Sequence, residues 1–157
     1  MQTTSDFFAI AFKEAFHSVR NNLGGPFGAV IVKDGQIIGK GGNRVSSSKD
    51  PTAHAEINAI RDACKNIGSF DLSGTVLYST CEPCPMCLSA IYWANISKVL
   101  YSSTRQQAAE IGFKDNHIYE ELSLRPIDRK IPFVSIETEQ AKELFKEWVE
   151  KSDKIPY

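Results

Sequence analysis

The stretch FGAVIVKDGQIIGK, residues 27–40, decides the fold. Residues 27–33 form a nearly continuous apolar run, the pattern of a strand buried on both faces. Asp34-Gly35 follows, a pair that tolerates the positive φ of a two-residue hairpin turn. Residues 36–40 then return as a second strand, so the first two strands are antiparallel. Upstream, Phe8, Phe12, Ala15, Phe16 and Val19 recur at helical spacing. They predict an amphipathic helix over residues 4–21, broken by Gly24-Gly25-Pro26.

Downstream, residues 43–50 are polar and Ser-rich and read as a loop. Asp50-Pro51-Thr52 combines a capping side chain with an early proline, which predicts a helix start. That helix runs through Ile57, Ile60, Ala63 and Cys64 and stops at residues 66–68. Residues 75–80 are β-branched and aromatic and read as a third strand. Residues 84–93 read as a short helix opened by Pro83 and Pro85, 97–102 as a fourth strand and 104–110 as another short helix. After an irregular stretch over 112–129, residues 132–136 are predicted as a fifth strand at a sheet edge, because Pro132 cannot donate inside a ladder. Residues 138–151 form a last amphipathic helix. A hairpin followed by alternating strands and helices predicts an α/β fold, with a mixed five-stranded sheet covered on both faces. With no repeat and no linker, residues 1–157 read as one domain.

Eighteen Lys+Arg against 19 Asp+Glu give a formal charge of −1, and 42% of residues are hydrophobic. Those proportions argue against disorder and give no broad electrostatic footprint for nucleic acid. No membrane span is expected. The apolar run at residues 7–12 is far shorter than the ~20 residues a bilayer helix needs, and it sits between Asp6 and Lys13, which is no secretory signal. Three of the four cysteines fall within residues 81–87. That clustering fits a reduced, cytoplasmic chain with metal-binding thiols better than a secreted disulfide framework. Cys64, alone in its helix, reads as a small buried hydrophobe.

Two segments carry chemistry. Thr52-Ala53-His54-Ala55-Glu56 opens one predicted helix, and Pro83-Cys84-Pro85-Met86-Cys87 opens the next. Cys84 and Cys87 are three apart and share a helical face at the positive end of the helix dipole, which favours thiolates. His54 completes one nitrogen and two sulfurs. That set suits Zn²⁺ and leaves a fourth position for water. Glu56 is the candidate proton carrier. Two residues apart on a regular helix differ by ~200°, so His54 and Glu56 can serve one site only within the first turn. The competing reading is a closed structural site in which Cys81 supplies a fourth ligand, as in a zinc-stabilised interaction module without catalysis.

His-x-Glu together with Pro-Cys-x-x-Cys resembles the zinc nucleobase deaminases of the cytidine deaminase-like superfamily. Gly24-Gly25-Pro26-Phe27-Gly28-Ala29-Val30, Asp50-Pro51-Thr52, Ala90-Ile91-Tyr92-Trp93 and Gly112-Phe113 extend the likeness over nearly the whole chain. Within that superfamily the sequence is similar to the bacterial guanine deaminases. The resemblance implies a three-layer α/β/α sandwich, one zinc ion per chain, a small-molecule purine substrate and a homodimer. It implies hydrolysis of guanine to xanthine and ammonia, with guanosine, cytosine or tRNA adenosine as alternative substrates.

It also implies roles, residue by residue. His54, Cys84 and Cys87 hold the metal. Glu56 and Asp115 move protons. Phe27 packs on the purine, Asn43 offers it a donor and an acceptor, and the Ala55 N–H holds a carbonyl oxygen. Trp93 walls the pocket. Residues 152–157 form a lid, swapped onto the partner subunit, with Tyr157 reaching the substrate. Core packing for Phe27 and Trp93, an ordinary loop role for Asn43 and a frayed end for Tyr157 are the plainer readings. Lys114 stands where some relatives carry a second acid, which alters the charge beside Asp115. His117 reads as a surface histidine, and His17 has no evident role.

Overall fold

The hairpin turn forms as its residues dictate: Asp34 and Gly35 take φ of 51° and 76°. They join β1 (Gly28–Lys33) to β2 (Gln36–Gly42) in an antiparallel ladder with a bulge between Ile31 and Val32. The computed structural model describes residues 2–157. In it β1 also pairs antiparallel with β3 (Val76–Cys81), and β3 pairs parallel with β4 (Lys98–Ser103). The sheet is mixed, in the order β2-β1-β3-β4. β1 lies inside it, which is why its apolar run shows no alternation: Ala29 and Val30 are equally buried, on opposite faces.

Side-chain parity along β1 and β3 sorts the core into two layers. Val30, Val32 and Tyr78 point to one face and pack against Phe7 and Ala11 of α1 (Thr4–Arg20). Ala29, Ile31 and Leu77 point to the other. They meet Ala55, Ala59 and Ala63 of α3 (Ala55–Ile67) and Ile91 of α4 (Pro85–Trp93). Helices on both faces of one sheet make the three-layer sandwich. The small alanines let α3 lie close over β2, where Gly39 and Gly41 leave it room. A Cβ on Gly39 would stand 2.5 Å from the Ala59 carbonyl oxygen.

Two expectations change. Residues 45–48 form a one-turn helix, α2 (Val45–Ser48), closed by Lys49 in the left-handed region. The predicted fifth strand is absent among the described residues, so the sheet has four strands, not five. Pro132 lacks an N–H, and Phe133, Val134 and Ile136 are exposed. The Phe133 N–H instead closes a local turn on the Pro126 carbonyl at 3.0 Å. A ladder needs a free run of donors and a buried face; here Pro132 has no donor, the Phe133 N–H is spent on the turn, and no face is buried within the chain.

The chain divides into two compact units, Met1–Asn116 and His117–Tyr157. The first adds α5 (Arg105–Glu110), capped by Thr104 and Gln107. It also holds the start of α6 (Asn116–Ser123). The second contains the rest of α6, a 3₁₀ turn (Pro126–Asp128) and α7 (Glu139–Glu150), whose first turn is capped by the Thr138 hydroxyl. It is tied locally by Lys130 N–H to Glu121 Oε2 at 2.7 Å and by Arg129 over the Phe133 ring. No residue of this second unit is buried in the single chain. No helix among the described residues is long and apolar enough to cross a membrane.

Gly39→Ala should cost about 1–3 kcal/mol, because the methyl must displace helix backbone rather than a flexible side chain. Urea unfolding with a lowered midpoint and an unchanged m-value is the check.

Candidate active site

The strand directions gather the site at one end of the sheet. β1 begins where β3 ends, with Ala29 opposite Ser79. β2 ends beside the start of β1, with Gly42 opposite Gly28. Phe27, Asn43 and the loop leaving β3 therefore emerge together. The start of α3 is tied to the same end by the Asn58 amide, which donates to the carbonyls of Gly42 at 2.9 Å and Ala53 at 3.2 Å.

α3 starts later than Asp50-Pro51-Thr52 suggests. Asp50 spends its carboxylate on a tight local turn, accepting from the Thr52 N–H at 2.8 Å and the Thr52 hydroxyl at 2.6 Å. Helical geometry begins only at Ala55, and His54 is the N-cap, extended at φ −68°, ψ 159°. This removes the angular conflict between His54 and Glu56. His54 lies outside the helix, so the 100° step per residue does not separate it from the Glu56 side chain. α4 repeats the device. Cys84 is its N-cap at φ −67°, ψ 168°, Pro85 fills the first turn and Cys87 lies one turn in.

The two helix starts bring three ligand atoms together. His54 Nδ1 lies 3.5 Å from Cys84 Sγ and 3.6 Å from Cys87 Sγ. All three could hold one metal ion, their ligand atoms lying within 4.8 Å of one another. Cys84 is pulled down to about 4, chiefly by the hydrogen bond it receives from Cys87 and then by His54. Cys87 is pushed up as the donor of that bond and by burial. The hydrogen bond to Cys84 is also the main cause that raises His54. One imidazole and two sulfurs at paired helix N-termini are the donor chemistry of Zn²⁺, so the residues fit that ion. Cys81 stays outside the group. Its thiol faces the Thr104 carbonyl at 3.7 Å, and burial pushes it up to about 11.

Glu56 is buried beside this cluster. Its Oε2 lies 3.4 Å from Cys87 Sγ and its Oε1 3.5 Å from the Ser79 hydroxyl. Loss of solvent is the main cause that raises its carboxyl above the usual range, and its own N–H opposes the rise. A buried acid whose carboxyl is raised in this way is suited to both take and give a proton.

The remaining candidates fall into place unevenly. Asp115 is half-buried, and its charge is felt at both His54 and Cys81. Phe27 is half-buried and meets Phe113 edge to face at 4.7 Å between ring centres. The Asn43 N–H donates to the Phe27 carbonyl at 3.0 Å, which ties these two candidates to each other. Asn43 is buried, and its Oδ1 accepts from the N–H groups of Gly25 and Val45, each at 3.1 Å. Both lone pairs of that oxygen are thus committed, and the side chain has only its Nδ2 donor left to offer. Ala55 is fully buried at the first position of α3. Trp93 ends α4 with most of its surface exposed. Tyr157, in the second unit, is 82% exposed. Sequence reasoning missed Ser79. The available signal was a hydroxyl between Leu77 and Cys81, on the strand parity that faces α3.

The sequence matches the family described as the cytidine and deoxycytidylate deaminase zinc-binding region over residues 1–103. The chain belongs to this family. It is 48% identical to the guanine deaminase of Bacillus subtilis over 143 residues, 91% of this chain and 92% of that protein. It is 34% identical over 145 residues to the tRNA-specific adenosine deaminase of Aquifex aeolicus, covering 92% and 93%. The crystal structure of guanine deaminase from Bacillus subtilis superposes with a TM-score of 0.96 at 46% identity, over 99% of both chains. The protein is a zinc-dependent hydrolytic deaminase, and His54, Cys84 and Cys87 lie close enough together to form a metal site.

His54→Ala and Cys87→Ala should each lose the metal, against about one zinc per chain in the parent. Elemental analysis of purified protein reads this directly.

Proposed function

We propose that this enzyme hydrolyses guanine to xanthine and ammonia. The observation that carries the reading is the buried Glu56 carboxylate 3.4 Å from a sulfur of a three-ligand set, in a chain 48% identical to a guanine deaminase over 91% of its length. His54, Cys84 and Cys87 would hold the zinc, which when bound would lower the pKa of a water toward neutral. Glu56 takes up a proton as water adds to C2 and passes it to the ring nitrogen beside that carbon. The proton of the added hydroxyl then passes to the amine, with Asp115 assisting, and ammonia leaves as the C2 carbonyl forms. The Ala55 N–H, at the positive end of α3, holds a carbonyl oxygen of the base. Asn43 donates from Nδ2 to an acceptor on the purine edge, and Phe27 and Trp93 provide apolar walls.

The balanced charge of −1 supports a small substrate over a tRNA, whose phosphates demand basic contacts and salt-sensitive binding. Release of ammonia by the zinc-loaded protein should be fastest with guanine in a panel with guanosine, adenine, cytosine and tRNA. Glu56→Gln should retain zinc and lose at least about 10²–10⁴-fold in kcat, the range for general acid–base transfer. A tRNA substrate preferred in that panel would overturn the assignment.

The working molecule is, in this reading, a homodimer in which residues 1–157 act as one deaminase domain and residues 152–157 close over the partner's site with Tyr157 as the lid. Support comes from the second unit. Leu144, Phe145, Trp148 and Val149 form one stripe of α7 and are all exposed in the single chain, as are Ile131, Phe133 and Val134 of the same unit. A helix this apolar on one side needs a cover, and a second copy provides it. Thiols that must stay reduced to bind zinc support a cytoplasmic location. Sedimentation should give twice the chain mass. Removal of residues 155–157 should slow guanine turnover while leaving zinc content unchanged.

A further inference from the structure

Among the described residues Glu56 is the only buried acid, and one of its oxygens is met by a buried hydroxyl whose proton has no other acceptor among the hydrogen bonds described. Ser79 is 1% exposed at the inward face of β3. Its backbone is fixed from both sides, opposite Ala29 of β1 and Tyr101 of β4. Its Oγ accepts from the Cys81 N–H at 3.4 Å, which leaves the hydroxyl proton to point at Glu56 Oε1, 3.5 Å away. The neighbouring buried hydroxyls are spent on the fold. Thr80 accepts from the Gly28 N–H at 3.0 Å, and Thr75 donates to the Leu72 carbonyl at 2.6 Å.

We infer that Ser79 is a positioning residue for Glu56: its hydroxyl pins Oε1 and so keeps Oε2 turned toward the ligand sulfurs. The inference rests on the reading of Glu56 as the proton carrier. A glutamate has three rotatable side-chain bonds, and in a buried site no bulk water replaces a missing partner. Oε2 faces Cys87, and a sulfur serving as a metal ligand has no proton to donate. The Ser79 hydroxyl is then the side-chain donor that remains on Glu56 among the described residues. Without it the carboxylate keeps its burial but loses its fixed orientation, and misplacement of a catalytic group lowers the rate of the chemical step rather than binding.

The test compares Ser79→Ala and Ser79→Thr with the parent and with Glu56→Gln, all zinc-loaded. Ser79→Ala should lower kcat for guanine about tenfold. KM, the xanthine dissociation constant by calorimetry, zinc content and melting temperature should stay near parent values. Ser79→Thr, which restores a hydroxyl, should recover most of kcat. An Ala variant with parent kcat, while Glu56→Gln is inactive, overturns the role of Ser79 alone. An Ala variant that sheds zinc or melts early, or a Thr variant no better than Ala, makes Ser79 a structural residue and overturns it too. A Glu56→Gln enzyme at near-parent rate instead overturns the reading of Glu56 on which the inference rests.

Discussion

The constraint on which the rest depends is the meeting of two helix starts at one point. A metal set of one imidazole and two sulfurs needs three side chains on separate backbone segments to converge within a few ångströms. α3 delivers His54 and Glu56, and α4 delivers Cys84 and Cys87. Both helices lie on the same face of the sheet and share a core with Ala29, Ile31 and Leu77. Burial of that core fixes where the helices begin. The two positive dipole ends, facing the same spot, favour the anionic sulfurs that a divalent cation requires. Packing far from the chemistry and electrostatics at the chemistry are one arrangement seen from two distances.

The sheet does the complementary work from below. β1 runs against β3, so a turn that precedes the first strand and a loop that follows the third share one rim. The bond from the Gly28 N–H to the Thr80 hydroxyl oxygen locks this rim, and the Asn43 carboxamide oxygen holds the preceding turn by accepting from the Gly25 N–H. Gly24 is small because it must be: a Cβ there would fall 2.1 Å from Asn43 Oδ1. Phe27 and Asn43, two of the residues proposed to touch the purine, are thus tied to each other through the main chain.

Much of this was legible in the residues. The apolar run, the Asp34-Gly35 turn and the two proline-marked segments announce a mixed α/β sheet and a zinc set, because each rests on local chemistry. What failed was of another kind. Asp50 looks like a helix cap, yet its carboxylate closes a turn with Thr52, and the true cap is a histidine that no propensity scale favours. Pro132 and its neighbours read as an edge strand, but pairing depends on a partner that sequence alone does not supply. Ser79 is invisible as more than a strand residue until β3 and α3 are placed face to face. The Asn43 oxygen likewise reads as available until the turn that consumes both its lone pairs is seen.

The caps themselves carry a cost worth drawing out. Neither His54 nor Cys84 makes a side-chain hydrogen bond to the helix it begins, where Ser, Thr, Asp or Asn would satisfy a first-turn amide. Each helix gives up about 1 kcal/mol of such help. Selection for heat resistance alone would thus be drawn to these two positions, and the hardier protein it found there would have traded its chemistry for robustness.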